Sequence, residues 1–450
     1  MILDPIVSKL LVGAGLLGAS AGIVGALAVL RRRALVGDML AHAALPGICL
    51  GFLVVGTRSA PALTLGALAT GLLGVGLVAQ IRRFTRTGED AALAIVLSTF
   101  FGAGVVLLSI IQRNPSGEQA GLNQYLFGEI AALTRRDVDV LAVLLVCVVA
   151  VTVLLHKEVK TWLFDEGFGR TLGLPLLWLD WGVMGLVALV TVVALPICGV
   201  VLTAGMLIYP AAAARFWTGR FGALVALAGL IGAAVGAVGI VLASLAGSAT
   251  GLLGTVLRGD HGSPPPPGPV IVLLGGLVFL ASMLFAPRRG AVVRAVRMAR
   301  LRLRMGSDHL LRSLFELVEP NLPATPDVVL SQATESLPES GMLERLVVRD
   351  AMARDWIRST SPGRVQLTPA GLAAAADVTR KHRLWELYLL EHADIAADHV
   401  HRDADDLEHL LPAELVAGLE RALAAEGKLP DSPDNLRVPT SPHALEAGDA

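Results

Sequence analysis

The chain has 450 residues, 54% of them hydrophobic, with a formal net charge of −1 and a mean hydropathy of +0.66. That excludes an ordinary soluble protein of this size: apolar runs of membrane length fill residues 6 to 286 and then stop. Residues 305–450 hold 25 Asp and Glu against 13 Lys and Arg, so the balanced total joins a membrane half to an acidic soluble half.

The first apolar run, Ile6–Leu30, is long enough to remain in place as a span rather than be cleaved as a signal peptide. Arg31-Arg32-Arg33 follow it. Basic residues beside a span favour the cytoplasm, which puts the N-terminus outside. Further spans are expected over about Met39–Gly56, Pro61–Ile81, Ala91–Ile111 and Val138–Leu155. Arg82, Arg83 and Arg86, and then Lys157, Lys160 and Arg170, fall where inner loops are due. Arg113, Arg135 and Arg136 do not. Asn123–Leu133 is read as a short helix dipping in from outside.

Leu176–Ile208 is too long for one span and is interrupted by Pro196. It reads as two passes, or as one pass and a re-entrant segment. Residues 222–245 are rich in Gly and Ala, which permits close helix packing. The outer loop after them carries Asp260, His261 and a stiff run, Pro264–Pro267. The last span is about Val270–Phe285. An outer N-terminus and an inner C-terminus need an odd number of passes: nine fits, and eight remains if the Pro196 segment does not cross. Cys49, Cys147 and Cys198 all lie in apolar runs, with no disulfide framework or C-x-x-C spacing.

The chemistry of this half sits in Gly37–Gly47, GDMLAHAALPG. Asp38 and His42 are four residues apart, so one helix face carries both. A carboxylate beside an imidazole suits Mn, Fe or Zn. Ionisable residues at membrane depth are rare and mark transport paths, although a polar pair can also simply join two helices.

Gly37–Gly47 resembles the G-D-x-x-x-H-A-x-L-P-G stretch of permease subunits of zinc/manganese/iron ABC importers. Tyr125–Gly128, Asp165-Glu166 with Leu172–Pro175, and Gly199–Arg215 are similar to that family in the same order, over about residues 5–286. The resemblance implies that Asp38 and His42 line the metal path. It makes the inner segment Asp165–Gly173, with Glu166, Phe168, Arg170 and Leu172, the helix that couples to an ATPase. No G-x-x-x-x-G-K-[ST] loop occurs, so this chain is expected to bind no nucleotide and to act as a transport subunit, not an enzyme. A separate ATPase chain, an extracytoplasmic metal-binding protein and a second permease subunit are the implied partners, and a bacterial inner membrane the implied location.

Residues 287–307 form a basic connector. It carries Arg294, Arg297, Arg300, Arg302 and Arg304, most of which lie three or four apart and can share one helix face on anionic membrane lipid, or serve as a plain stop-transfer flank. Helices are expected from Leu310 to Leu317 and over Leu343–Ile357. A hairpin then turns at Ser361-Pro362-Gly363, and Thr368 opens a helix through Leu390. This order suggests a winged helix over 308–380. Residues 381–430 concentrate His382, Glu386, His401, Asp405, Glu408 and His409 at one-turn spacings, and five of the ten histidines fall between 382 and 409. Metal binding is expected there. Carboxylate and imidazole without thiolate point to Mn(II) or Fe(II).

Residues 308–430 resemble the DtxR-type metal-dependent repressors, through Arg380–Leu384 with Glu386 and through His401, Asp405, Glu408 and His409. The resemblance implies two metal sites. One comprises His382, Glu386 and His401. The other comprises Asp405, Glu408 and His409, completed by a first-helix residue at whose position His309 stands. It also implies dimerisation. The helix starting Met342-Leu343-Glu344-Arg345-Leu346 departs from the DNA-reading pattern, and the acidic charge would repel DNA. The fold expected is therefore an all-α polytopic membrane domain of eight or nine spans (1–286), then a soluble α+β winged-helix-like segment and an α-helical metal-binding and dimerisation domain, with residues 431–450 a disordered tail. The expected function is import of a divalent transition metal, with an inner sensing domain. The alternative is a membrane-tethered, metal-responsive DNA-binding regulator.

Overall fold

The computed structural model describes residues 5–57, 59–113, 128, 130–248, 266–335, 341–392, 413–425 and 438–439. Contacts divide the chain into two compact units, Met1–Arg294 and Ala295–Ala450.

The first unit is helical: α1 (Pro5–Leu30), α2 (Val36–Val55), α3 (Ala60–Phe84), α4 (Glu89–Gln112), α5 (Arg135–Leu154), the short α6 (His156–Phe164) and α7 (Glu166–Thr171), α8 (Leu176–Trp217), α9 (Phe221–Ser248) and α10 (Pro267–Phe285). Eight of these are long and apolar enough to cross a membrane. With little hydrophobic drive inside lipid, helices associate through close packing of small residues. The pair α1 and α9 does this most fully. Gly18 meets the Gly232 carbonyl, Gly22 that of Ala228, and Gly236 that of Ala14, leaving no space for a Cβ at any of the three glycines. One partner's number falls as the other's rises, so the two helices are antiparallel.

These contacts assign sides. The end of α1 and the start of α9 lie together, next to Arg31–Arg33, on the inner face. Arg33 pairs with Asp180 at the start of α8 (2.7 Å). Yet α8 also ends on that face, because α9 begins there only four residues after Trp217. The helix therefore goes out and comes back. The reversal is at Gly199, whose φ of 72° and ψ of 176° are non-helical and available essentially only to glycine. Pro196 stays inside the outgoing limb. The sequence reading placed the interruption at Pro196; it falls three residues later, where the backbone can turn. Gly128, itself at φ 69°, backs directly onto Cys198 and Gly199. Val200 clusters with Phe52, Leu63 and Leu108 at the outer ends of α2, α3 and α4. Counting the two limbs of α8 separately, the eight candidate spans among the described residues become nine helical segments.

The same geometry puts the arginines at 113, 135 and 136 outside, against the basic-residue rule. Leu133 packs on Gly13 near the outer end of α1, and a Thr134–Asp137 capping box starts α5. The short helix expected over Asn123–Leu133 reduces, among described residues, to a 3-10 turn at Ile130–Ala132. Asp260, His261 and Tyr125–Phe127 lie outside the described residues.

The second unit takes in most of α11 (Ala291–Val318), then β1 (Val328–Val329), α12 (Leu330–Thr334), α13 (Gly341–Ala353), β2 (Ile357–Ser361), β3 (Arg364–Leu367), α14 (Pro369–His392) and α15 (Ala413–Ala425). The antiparallel sheet runs β1-β3-β2, with Val328 opposite Val365 and Ile357 opposite Leu367. Gly363 makes the hairpin turn at φ 77°. This is the order of a winged helix. Its core holds Leu310, Leu314, Phe315, Val347, Ile357 and Val365; each such side chain, fully buried from water, contributes roughly 1.5–3 kcal/mol. Thr368 caps α14, its Oγ1 accepting from the Gly371 amide (2.9 Å).

Three boundaries differ from expectation. Ile357 begins a strand rather than ending a helix, because its side chain joins the sheet's buried face. The connector and the first soluble helix are one element, α11, without a break near residue 307. The expected boundary at 380 falls inside α14.

Candidate functional site

Asp38 lies in the first turn of α2 and His42 one turn later. Unpaired N–H groups at a helix start favour a carboxylate there. The two side chains face each other, with His42 Nε2 3.6 Å from Asp38 Oδ1. That is an ion-pair spacing rather than a hydrogen bond, so both groups keep capacity for a cation. The His42 ring stands edge-on to Phe101 at 4.9 Å, and its buried Nδ1 has no hydrogen-bond partner among the described residues.

Both residues open onto a cavity of about 510 Å³ between α2, α4, α10 and the returning limb of α8. Its other walls include Val200, Ala204, Ile208, Tyr209 and Val272. The reversal at Gly199 creates this limb, and so one wall of the cavity. The Asp38 side chain is 35% exposed and that of His42 23%, so an ion entering the cavity can reach both. An apolar cavity with one acid and one imidazole selects for a cation and offers it two donors.

The second group of residues lies on the inner face. Asp165 caps α7, its Oδ1 accepting from the Phe168 amide (2.8 Å). Glu166 accepts from Arg170 (2.8 Å) and from Arg31 (3.2 Å). These two guanidiniums, Arg170 first, hold its carboxyl below the usual carboxylate range. The Arg31 guanidinium also lies 4.4 Å over the ring of Trp162, which is fully buried. One arginine at the end of α1 thus ties down both α6 and α7. Gly169 is buried, whereas Phe168 and Leu172 are exposed. Gly173 turns the chain at φ 71°. The segment is rigidly held and presents apolar side chains to water.

The third group lies in the second unit. His382 and Glu386 sit one turn apart on α14, both buried, with Nε2 2.9 Å from Oε1. Arg312 of α11, also buried, brings Nη1 to 2.9 Å from His382 Nδ1 and 3.2 Å from Nε2. In the tautomer that donates from Nε2 to Glu386, the one lone pair of the ring faces a guanidinium. Arranged this way, the Arg312 guanidinium lies on the side of the ring from which a cation would approach. His309 lies on α11 three residues before Arg312. His401, Asp405, Glu408 and His409 lie outside the described residues. Nearby, Glu319 holds Arg383 through two bonds (2.7 and 2.6 Å).

Sequence reasoning missed Arg312, Arg31, Phe101 and Gly199. The first three act across 70, 135 and 59 residues of chain, and no local pattern marks them. Gly199 could have been suspected as the first glycine after Pro196.

A bundle in which an acid and an imidazole share a membrane-embedded cavity is a cation permease in outline, a multi-pass membrane protein whose work is passage. The comparisons say which kind. The model of the ABC 3 transport family matches residues 4–286, and the chain belongs to that family. The model of the iron dependent repressor, metal binding and dimerisation domain, matches residues 368–431. The manganese transport system membrane protein MntC of Bacillus subtilis is 35% identical over 422 residues, 94% of this chain and 92% of that protein. The zinc transport system membrane protein TroC of Treponema pallidum is 35% identical over 67% of this chain and 95% of its own. Among solved structures, PsaBC from Streptococcus pneumoniae in complex with Fab matches with a TM-score of 0.52 and 26% identity, over 66% of this chain and 96% of that one. This chain is thus a membrane permease subunit that also carries a repressor-like domain.

Proposed function

We propose that this permease imports a divalent transition metal, Mn(II) first and Fe(II) or Zn(II) next, driven by ATP hydrolysis on a separate chain. The observation that carries the reading is the Asp38–His42 pair open to the cavity. Two donors cannot satisfy a transition metal, which takes four to six ligands. The remainder would come from water or from the same pair in a second permease subunit. Incomplete coordination suits passage, since an ion held by a full cage does not leave. The relatives named for manganese and zinc transport support the metal class.

On this reading an extracytoplasmic metal-binding protein delivers the ion, and the ATPase docks on Asp165–Gly173 through Phe168 and Leu172. The C-terminal domain acts as an inner sensor of Mn(II) or Fe(II), with His401, Asp405, Glu408 and His409 as its ligands, His309 as a candidate fifth, and His382 and Glu386 behind Arg312. Its dimerisation would set the spacing of two permease subunits and slow uptake when the ion is plentiful. A coupling of 1–3 kcal/mol suffices for such control. The DNA-binding regulator fits less well. The solvent face of α13 carries Met342, Leu346 and Met352 beside only Arg345 and Arg349, a poor complement to phosphates. The deciding experiment is uptake by the reconstituted complex, one ion at a time. Saturable, ATP-dependent Mn(II) entry is expected, and entry of none of the three ions would overturn the proposal.

A further inference from the structure

Several arginines on the inner face of the first unit have carboxylate partners. Arg31 pairs with Glu166, Arg33 with Glu89 and Asp180, Arg82 with Glu89, and Arg170 with Glu166. Arg215, Arg289 and Arg294 form no carboxylate pair among the described residues, and they line one cavity of about 330 Å³. Arg289 and Arg294 are held in place by main-chain oxygens: Arg289 Nη1 donates to the Arg215 carbonyl (3.4 Å) and Arg294 Nη2 to that of Arg289 (3.3 Å). Two guanidiniums are thus held by backbone contacts beside the side chain of Arg215, with no carboxylate among the residues that line the cavity.

The other walls of the cavity are apolar: Val29, Ala212, Phe216 and Phe279, the two rings 6.0 Å apart. Ala212 and Phe216 are in the last turns of α8, Val29 is near the end of α1, and Phe279 lies in the inner half of α10. Arg289 and Arg294 lie beyond the end of α10. The cavity is therefore greasy toward the membrane and cationic toward water, at the depth of the inner leaflet's headgroups. A phosphate ester with acyl chains has the same polarity. Guanidiniums bind phosphate oxygens through paired N–H groups, and basic pockets between helices on this side of a membrane suit anionic headgroups.

We propose that Arg215, Arg289 and Arg294 form a binding site for the phosphate of an anionic phospholipid. The site is separate from the Asp38–His42 cavity, and it does not depend on which ion is carried. The same phosphate chemistry could be met by free inorganic phosphate, and the test separates the two sources.

The full transporter, with its ATPase, is reconstituted in nanodiscs of phosphatidylcholine containing a minor share of phosphatidylglycerol. Lipid retained after transfer to detergent is then counted by native mass spectrometry. Wild type should retain phosphatidylglycerol selectively. Each of R215Q, R289Q and R294Q should lower retention about fivefold, and the three together about a hundredfold. Arg136→Gln, on the outer face, should change nothing. Equal retention in wild type and in all three single variants overturns the proposal, whether or not the triple variant folds. Displacement of the lipid by millimolar inorganic phosphate, with labelled phosphate bound at the same arginines, would assign the site to the free anion and overturn the lipid.

Discussion

Nδ1 of His382 faces the guanidinium of Arg312 at 2.9 Å, across 70 residues of chain. Nε2 faces Glu386, so among the described residues the buried imidazole lies between a carboxylate and a guanidinium, the arginine on the side a metal would need. A divalent ion can join His382 only by displacing it. Arg312→Gln should therefore tighten Mn(II) binding to the full-length chain by about tenfold or more, the factor that goes with no longer breaking a hydrogen bond from a charged group worth about 1.5 kcal/mol. Without metal the same change removes a buried hydrogen bond from a charged group to His382, at a cost of about 1.5–3 kcal/mol. Thermal unfolding of the variant should occur at lower temperature than wild type, with Mn(II) restoring more of the loss than it adds to wild type. Unchanged affinity and unchanged unfolding would mean that the arginine is incidental.

Asp38→Asn and His42→Ala each remove one of two donors from the cavity. Uptake of Mn(II) should fall by at least about tenfold, since even outer partners of metal ligands cost that much. The amount of protein in the membrane should be unchanged, because neither residue packs in the core. Uptake at the wild-type rate by the double variant would remove the pair from the path.

At Gly199 any Cβ is strained, since φ is 72° and ψ 176°. Gly199→Ala should cost about 1–3 kcal/mol and lower the unfolding temperature of the purified protein. Ala at Gly185, where nothing lies within 4 Å of a Cβ, is the control and should leave it unchanged.

Phe168→Asp places a charge on the exposed apolar end of α7. It should abolish stimulation of ATP hydrolysis by the permease without affecting membrane insertion. Glu166→Gln should weaken coupling by freeing α7 from Arg31. Since the folded carboxyl is held below its usual range, its contribution is complete above the unfolded value and is lost only as pH falls through the depressed one. Coupling should therefore be flat around neutral pH and decline only in acid. A decline near neutrality would point to a different group.

Much of this was legible in the sequence. Hydropathy placed most of the spans to within a few residues, although the stretch read as Leu176–Ile208 runs on to Trp217, and one-turn spacing put Asp38 and His42 on one face. Ser361-Pro362-Gly363 announced the hairpin that β2 and β3 form. What was hidden depends on long-range geometry. Pro196 looked like the helix breaker, but a proline can stay helical when its neighbours support the bend, and only a glycine can adopt the φ and ψ of the reversal. Arg31 read as a positive charge marking the inner face. Its bond to Glu166 and its place over Trp162 exist only once α1, α6 and α7 are packed together. Arg312 carries no signal of its own in the sequence. Its burial against His382 needs two helices to meet.

Gly18, Gly22 and Gly236 bring the main chains of α1 and α9 into direct contact. Two helices already touching backbone to backbone have no closer state to move into. Sliding one along the other would drive a carbonyl into the next side chain. The pair is therefore a fixed strut, and any alternating opening of the permease must be borne by helices on the far side of it. The returning limb of α8 joins the strut in the same way, Gly25 lying against the Leu207 carbonyl, while Gly47 and Gly66 lock α2 to α3; a change in the width of the path has to come from one of these two bodies moving against the other.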